Sequence, residues 1–189
     1  IASSHGGNHQ LYLNAGEGKF AKDKKSAEIF LPMKNVSGND AVFLDFNNDG
    51  ALDLLVVGES SEEDGRGVFL FHNNGIDNYD NVSDLLPEDL KTGRQIAVLD
   101  YNVDGDADIV IAGLNGGIRL LRNDGGNLNH FVKIKLLGIR TGSAKNNYFG
   151  IGAKVEMRSG DLYQTKVVTE PDILFGLGDR QKSDIIRIT

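Results

Sequence analysis

The sequence predicts an all-β chain made of small, repeated antiparallel sheets. Three observations carry that expectation. Short, branched apolar runs are bounded by turn residues, an acidic nine-residue turn occurs twice, and an apolar run ending in Asn and Gly recurs. The acidic turns are Asp45-Phe46-Asn47-Asn48-Asp49-Gly50-Ala51-Leu52-Asp53 and Asp100-Tyr101-Asn102-Val103-Asp104-Gly105-Asp106-Ala107-Asp108. Both read D-x-N-x-D-G-x-x-D.

The runs on either side of each turn define its context. Ala41-Val42-Phe43-Leu44 leads into the first and Leu54-Leu55-Val56-Val57 leaves it. Ile96-Ala97-Val98-Leu99 leads into the second and Ile109-Val110-Ile111-Ala112 leaves it. These runs are too short for helices and end at Gly58 and Gly113, so they read as buried strands. Each acidic stretch therefore joins two strands.

Oxygen side chains at alternate positions, a glycine at the sharp turn and a closing carboxylate suit a hard cation. Ca²⁺ takes about six to eight oxygens at about 2.3–2.6 Å. An EF-hand is the obvious rival, but its loop needs an acidic twelfth residue and flanking helices. Val56 and Ile111 occupy the twelfth positions here. Asp, Asn and Gly also dominate ordinary tight turns. Two copies with matching flanks argue against turn chemistry alone. Three carboxylates in one loop repel one another, and a divalent cation removes that cost.

The repeat extends past the turns. Val68-Phe69-Leu70-Phe71-His72-Asn73-Asn74-Gly75 follows the first and Ile118-Arg119-Leu120-Leu121-Arg122-Asn123-Asp124-Gly125 follows the second. A third copy begins at Gln10-Leu11-Tyr12-Leu13-Asn14. Asn14, Asn73 and Asn123 should mark equivalent ends of successive units. The acidic turns stand about 55 residues apart, within the range of propellers and solenoids. Such units cannot bury both faces alone and must stack on neighbours.

This arrangement resembles the FG-GAP/VCBS repeat family, the calcium-loop β-propeller blades also found in integrin α-chain heads. The resemblance implies incomplete β-propeller blades over residues 1–126, with Ca²⁺ as the bound ion. Carried over residue by residue, it implies Asp45, Asn47, Asp49 and Asp53 as side-chain ligands with the Ala51 carbonyl. In the second copy it implies Asp100, Asn102, Asp104 and Asp108 with the Asp106 carbonyl. The family often has Asp where this chain has Asn47 and Asn102. An amide oxygen ligates without charge, which implies modest affinity.

From about Asn127 the acidic turn no longer recurs. Val132, Ile134 and Leu136 alternate with Lys133 and Lys135, the pattern of a half-buried strand. Val155 and Met157 alternate with Lys154, Glu156 and Arg158 in the same way, and Ile185-Ile186-Arg187-Ile188 repeats the pattern. Asn129 with Lys135-Leu136 and Gly138, then Gly150-Ile151-Gly152-Ala153 with Val155, then Phe175-Gly176-Leu177-Gly178 stand in order. That series resembles the ASPIC/UnbV domain, which typically follows FG-GAP/VCBS blades. It implies a small antiparallel β domain over residues 127–189. Thr169-Glu170-Pro171-Asp172 makes a shorter bridge to the F-G-L-G element than the family usually has.

With 189 residues the chain can bury a core but cannot close a propeller, which needs about four to eight blades. Ile1-Ala2-Ser3-Ser4 aligns with Val110-Ile111-Ala112-Gly113. That alignment places another acidic turn upstream, so the chain reads as the C-terminal piece of a longer protein. No apolar run approaches the length of a membrane span. The absence of cysteine removes disulfides, zinc–thiolate sites and cysteine nucleophiles. Net charge is −7, and no basic stripe suits nucleic acid. Lys22-Asp23-Lys24-Lys25 reads as a solvated loop.

No nucleophile elbow, zinc-protease helix or phosphate cradle is present. His5, His9, His72 and His130 fall at no regular ligand spacing. The clustered carboxylates of the acidic turns are taken up by the cation reading and are not free for glycoside hydrolysis. Phe46, Tyr101, Phe69 and Phe71 read as packing residues. The expectation is a non-enzymatic, secreted or periplasmic Ca²⁺ module. Its partner would be a protein or glycan on a cell surface or in the extracellular matrix. A carbohydrate-binding propeller and an accessory part of a secreted enzyme are the alternatives.

Overall fold

The computed structural model describes residues 8–75, 78–125, 128–138 and 147–189. Strands dominate, all paired antiparallel, and no sheet among the described residues closes on itself. The chain divides into two units. One takes residues 1–44, 51–101 and 107–123, and the other takes 45–50, 102–106 and 124–189. The boundary expected at 126/127 and the N-terminal stretch Ile1–Ser4 lie outside the described residues.

The first unit opens with a hairpin of β1 (Tyr12–Gly16) and β2 (Lys19–Lys22). Gly16, Glu17 and Gly18 all turn through positive φ, and Asn14 Oδ1 accepts the Gly16 N–H at 2.9 Å. A short helix, α1 (Ser26–Ile29), and a 3-10 turn (Leu31–Met33) follow. Then β3 (Val36–Leu44), β4 (Asp53–Ser60), β5 (Val68–Gly75) and β6 (Asn78–Asn81) form a four-stranded meander in that order. Leu54, Leu55, Val56 and Val57 of β4 are all buried, so both faces of this inner strand are covered. Leu54 and Val56, with Phe69 and Phe71 of β5, form one core with Leu11, Ile29, Phe30, Met33 and Val36. Phe30 meets Phe71 edge to face at 5.6 Å. No strand periodicity marks the 26–33 segment, yet it supplies three of these side chains.

Two expectations change in this unit. β4 does not end at Gly58 but continues to Ser60. Gly58 lies opposite Gly38 beside a bulge in β3, and a Cβ there would collide with the Ser37 carbonyl. The glycine permits close strand approach rather than ending the strand. Asp23, expected in a solvated run, is buried, and its Oδ1 accepts the Lys25 N–H at 3.1 Å. Lys22, Lys24 and Lys25 are exposed as expected.

A second sheet in this unit orders β7 (Gln95–Leu99), β8 (Asp108–Ala112) and β9 (Ile118–Leu121). It is tied to β3 through side chains. Asp40 Oδ2 accepts the Ile96 N–H, and Asn39 Nδ2 donates to the Gly93 carbonyl, both at 2.9 Å. The sequence-equivalent strands β1, β5 and β9 lie in three different sheets and never pair with each other.

In the second unit β10 (His130–Lys135) pairs with β13 (Asp172–Gly178). A three-stranded sheet orders β12 (Leu162–Val167), β11 (Lys154–Ser159) and β14 (Ile185–Ile188). Val155, Met157, Val168, Ile173, Phe175 and Leu177 form the core, with Val132, Ile134 and Leu136 packed on it. The alternation in β10 and β11 thus faces its apolar side inward. β14 departs from that pattern. It is an edge strand, and Ile185, Ile186 and Ile188 are all exposed.

Candidate cation loops

The two acidic turns follow the same backbone path. Asn48 and Gly50 have φ of 58° and 90°, and the matching Val103 and Gly105 have 64° and 92°. Glycine and asparagine accept this left-handed region readily, but a β-branched residue does so only under strain. Val103 therefore holds an unfavourable conformation worth about 1–3 kcal/mol, imposed by the turn around it.

Within the second unit, backbone donors fix the carboxylates. Asp45 Oδ1 accepts the Asp49 N–H and Oδ2 the Gly50 N–H, both at 3.0 Å. Asn47 bridges to Asp49 twice. Its Oδ1 accepts the Asp49 N–H at 3.2 Å and its Nδ2 donates to Asp49 Oδ2 at 2.9 Å. Asn102 and Asp104 repeat this bridge, with the amide-to-carboxylate bond at 2.6 Å. Asp104 Oδ1 also accepts the Asp106 N–H at 2.9 Å.

Within the first unit, the closing aspartates Asp53 and Asp108 are fully buried. Asp53 Oδ1 accepts the Asn73 N–H and Asp108 Oδ1 accepts the Asn123 N–H, both at 2.8 Å. The asparagine amides reach back to the Leu52 and Ala107 carbonyls at 3.1 and 3.4 Å. Asn73 and Asn123, marked by sequence only as unit ends, thus clasp the last residues of their turns. Their recurrence near the end of the second strand after each closing aspartate was the available signal. Asp108 Oδ2 also accepts the Tyr101 N–H at 2.9 Å, and His72 Nε2 stands 4.0 Å from Asp53 Oδ1.

Several residues differ from their sequence reading. For Asp106 the sequence reading named only the carbonyl. Its side chain is fully buried, and Oδ1 accepts a bond from Asn48 Nδ2 at 3.1 Å. Tyr101 is half exposed rather than packed, because the turn carries it outside β7, whereas Phe69 and Phe71 lie in the core as expected. His9 is buried with Nε2 2.9 Å from the Val36 carbonyl. Lys166 had no sequence signal. Its Nζ donates to the Leu174 carbonyl at 2.6 Å and lies 5.3 Å from the Phe175 ring centroid. Burial pushes the Lys166 pKa down, while the charges of Asp45 and Glu170 oppose that shift.

These donor sets fit calcium chemically. The side chains at the alternate positions and the closing position are all Asp or Asn, so the ligands offered are hard oxygens. Backbone N–H groups orient the carboxylates, as ligands held by an outer layer of hydrogen bonds require. Among the described residues, no group of three or more His, Cys, Asp or Glu side chains forms a metal cage by itself. Each loop would need its asparagine and a backbone carbonyl to complete the set.

A family model of the FG-GAP-like repeat matches residues 45–111. The match starts at the first aspartate of the first turn and ends inside β8. It therefore contains both turns, the four-stranded meander from β4 onward, and β7. The similarity covers both acidic turns and the strands between them, and none of the C-terminal strands. No curated protein matches the chain.

Proposed function

We propose that the two acidic turns bind Ca²⁺ and brace a stack of β-propeller blades that serves as a non-catalytic binding module. The observation that carries this reading is the duplication of both ligand spacing and backbone path, down to the paired left-handed residues. Asp45, Asn47, Asp49, Asp53 and the Ala51 carbonyl would hold the first ion. Asp100, Asn102, Asp104, Asp108 and the Asp106 carbonyl would hold the second. Bound there, each ion supplies positive charge that offsets the clustered carboxylates.

The similarity to FG-GAP-like repeats supports an adhesion-type, extracellular module. The C-terminal strands would be an ASPIC/UnbV-type β domain, a reading that rests on their sequence motifs alone. Millimolar extracellular calcium suits modest sites, since such modules bind at about 10⁻⁴–10⁻³ M. No helix among the described residues is long and apolar enough to cross a membrane. A protein or glycan on a cell surface is the partner this reading names, met by loops on a rigid β frame. The exposed Tyr101 ring favours glycan binding as the second reading, because sugars stack on exposed aromatic faces.

Calorimetric titration of chelator-treated protein should give about two Ca²⁺ sites per chain. Asp49→Ala and Asp104→Ala should each remove one. Absence of calcium heat, or equal preference for Mg²⁺, would refute the calcium assignment. A glycan array and a turnover assay run with and without calcium separate binding from catalysis. Turnover that disappears in Asp53→Asn at unchanged Tm would make the loop catalytic.

A further inference from the structure

Asn48 bonds the first acidic turn to the second. Asn48 is fully buried, and its Nδ2 donates to the Gly105 carbonyl and to Asp106 Oδ1, both at 3.1 Å. The fourth position of the first turn thus holds the sixth and seventh positions of the second. On its other side the same segment is bonded to the C-terminal strands. The Gly178 N–H donates to the Asn48 carbonyl, and Asn129 Nδ2 donates to the Asn47 carbonyl, each at 2.8 Å. Gly176 lies so close that a Cβ would collide with Asp45 Oδ2 and stand 2.7 Å from the Asn48 carbonyl oxygen. Gly105 is covered by the Phe131 ring with no room for a Cβ.

We infer that Asn48 is a positioning residue that couples the two cation loops, so that occupancy of one raises the affinity of the other. The inference rests on the calcium reading above. Asn48 sits between the proposed ligands Asn47 and Asp49. Its amide grips the residue whose carbonyl is a proposed ligand in the second turn. Any adjustment of Asn47–Asp49 around an ion is transmitted to Gly105 and Asp106 through two hydrogen bonds. Packing against Gly176 and Phe131 denies the segment room to absorb the shift elsewhere. Linkage makes the effect reciprocal, and a coupling of this kind is typically about 5–150-fold.

The test is a double-mutant cycle on the full chain, read by calcium calorimetry. Asp49→Ala disables the first loop. In the otherwise native chain it should also weaken the second site about fivefold or more. In an Asn48→Gly background it should leave the second site unchanged. Glycine keeps the left-handed backbone and removes only the amide. Asn48→Asp, which also tolerates that backbone but presents a carboxylate to Asp106, serves if the glycine variant does not fold. An independent readout is the amide NMR shift of Asp106. In Asp104→Ala, calcium added at the first loop should still move that signal, and Asn48→Gly should abolish the movement. A second site whose affinity ignores the loss of the first in Asp49→Ala would overturn the coupling while leaving the calcium reading intact. Absence of calcium binding in the native chain would overturn both.

Discussion

Glu156 shows how one side chain on β11 collects partners from three directions. Lys154 Nζ lies 2.7 Å from Oε1, the Tyr163 hydroxyl donates to the same oxygen at 2.6 Å, and Arg187 Nε lies 3.4 Å from Oε2. Strand register explains the meeting. Lys154 is two residues away on the same face, Arg187 is the direct partner in β14, and Tyr163 reaches across from β12. The hydrogen bond from Lys154, then that from Tyr163, hold the Glu156 carboxyl below its ordinary range. A depressed folded-state pKa contributes stability above the unfolded value and loses it as pH falls through the folded value. Carboxyl NMR titration should therefore place the Glu156 midpoint below the ordinary glutamate range. Tyr163→Phe should raise it. A midpoint unmoved by that change would mean the hydroxyl contact does not form in solution.

At the scale of the element, β13 is shaped by what it packs against. Ile173, Phe175 and Leu177 point into the core, while Gly176 and Gly178 face the first acidic turn. The F-G-L-G series is an alternation in which Gly176 can carry no side chain, because the turn occupies that space, while Gly178 takes a positive φ of 62°. Gly176→Ala should destabilise the protein by about 1–3 kcal/mol, the usual cost of overpacking where backbone cannot move. Gly117→Ala is the control. It has nothing within 4 Å of a built Cβ, and it should change stability by no more than about 0.5 kcal/mol. Urea unfolding of the two variants reads the difference. Equal midpoints would show that the turn does not sit against β13.

For the whole molecule, calcium should act as a stabiliser. An ion at ten times its Kd contributes about 1.4 kcal/mol per site. At this size each kcal/mol shifts Tm by about 2–4 °C. Two sites should together raise Tm by about 6–11 °C over the chelated protein, measured by differential scanning calorimetry. Magnesium should do less, because it resists dehydration and demands a tighter octahedral cage. A Tm indifferent to chelator would leave the acidic turns as turns only.

The division between what was legible and what was not follows the range of each interaction. Strand period, turn chemistry and ligand spacing are local, so β4, β5, β7, β8 and β9 and both acidic turns could be read from neighbouring residues alone. The positive φ at Gly50 and Gly105 belongs to that class too, since only the chain's own turn demands it. The Asp106 side chain carried no sequence signal because its partner, Asn48, lies in the other turn. Gly58 looked like a stop signal because the Ser37 carbonyl that forbids a Cβ comes from another strand. The outward face of β14 and the burial of Asp23 are of the same kind, set by which surface each element meets. Such contacts depend on how distant segments register and pack. A side chain's own sequence neighbours carry no record of that, so only the tertiary structure decided them.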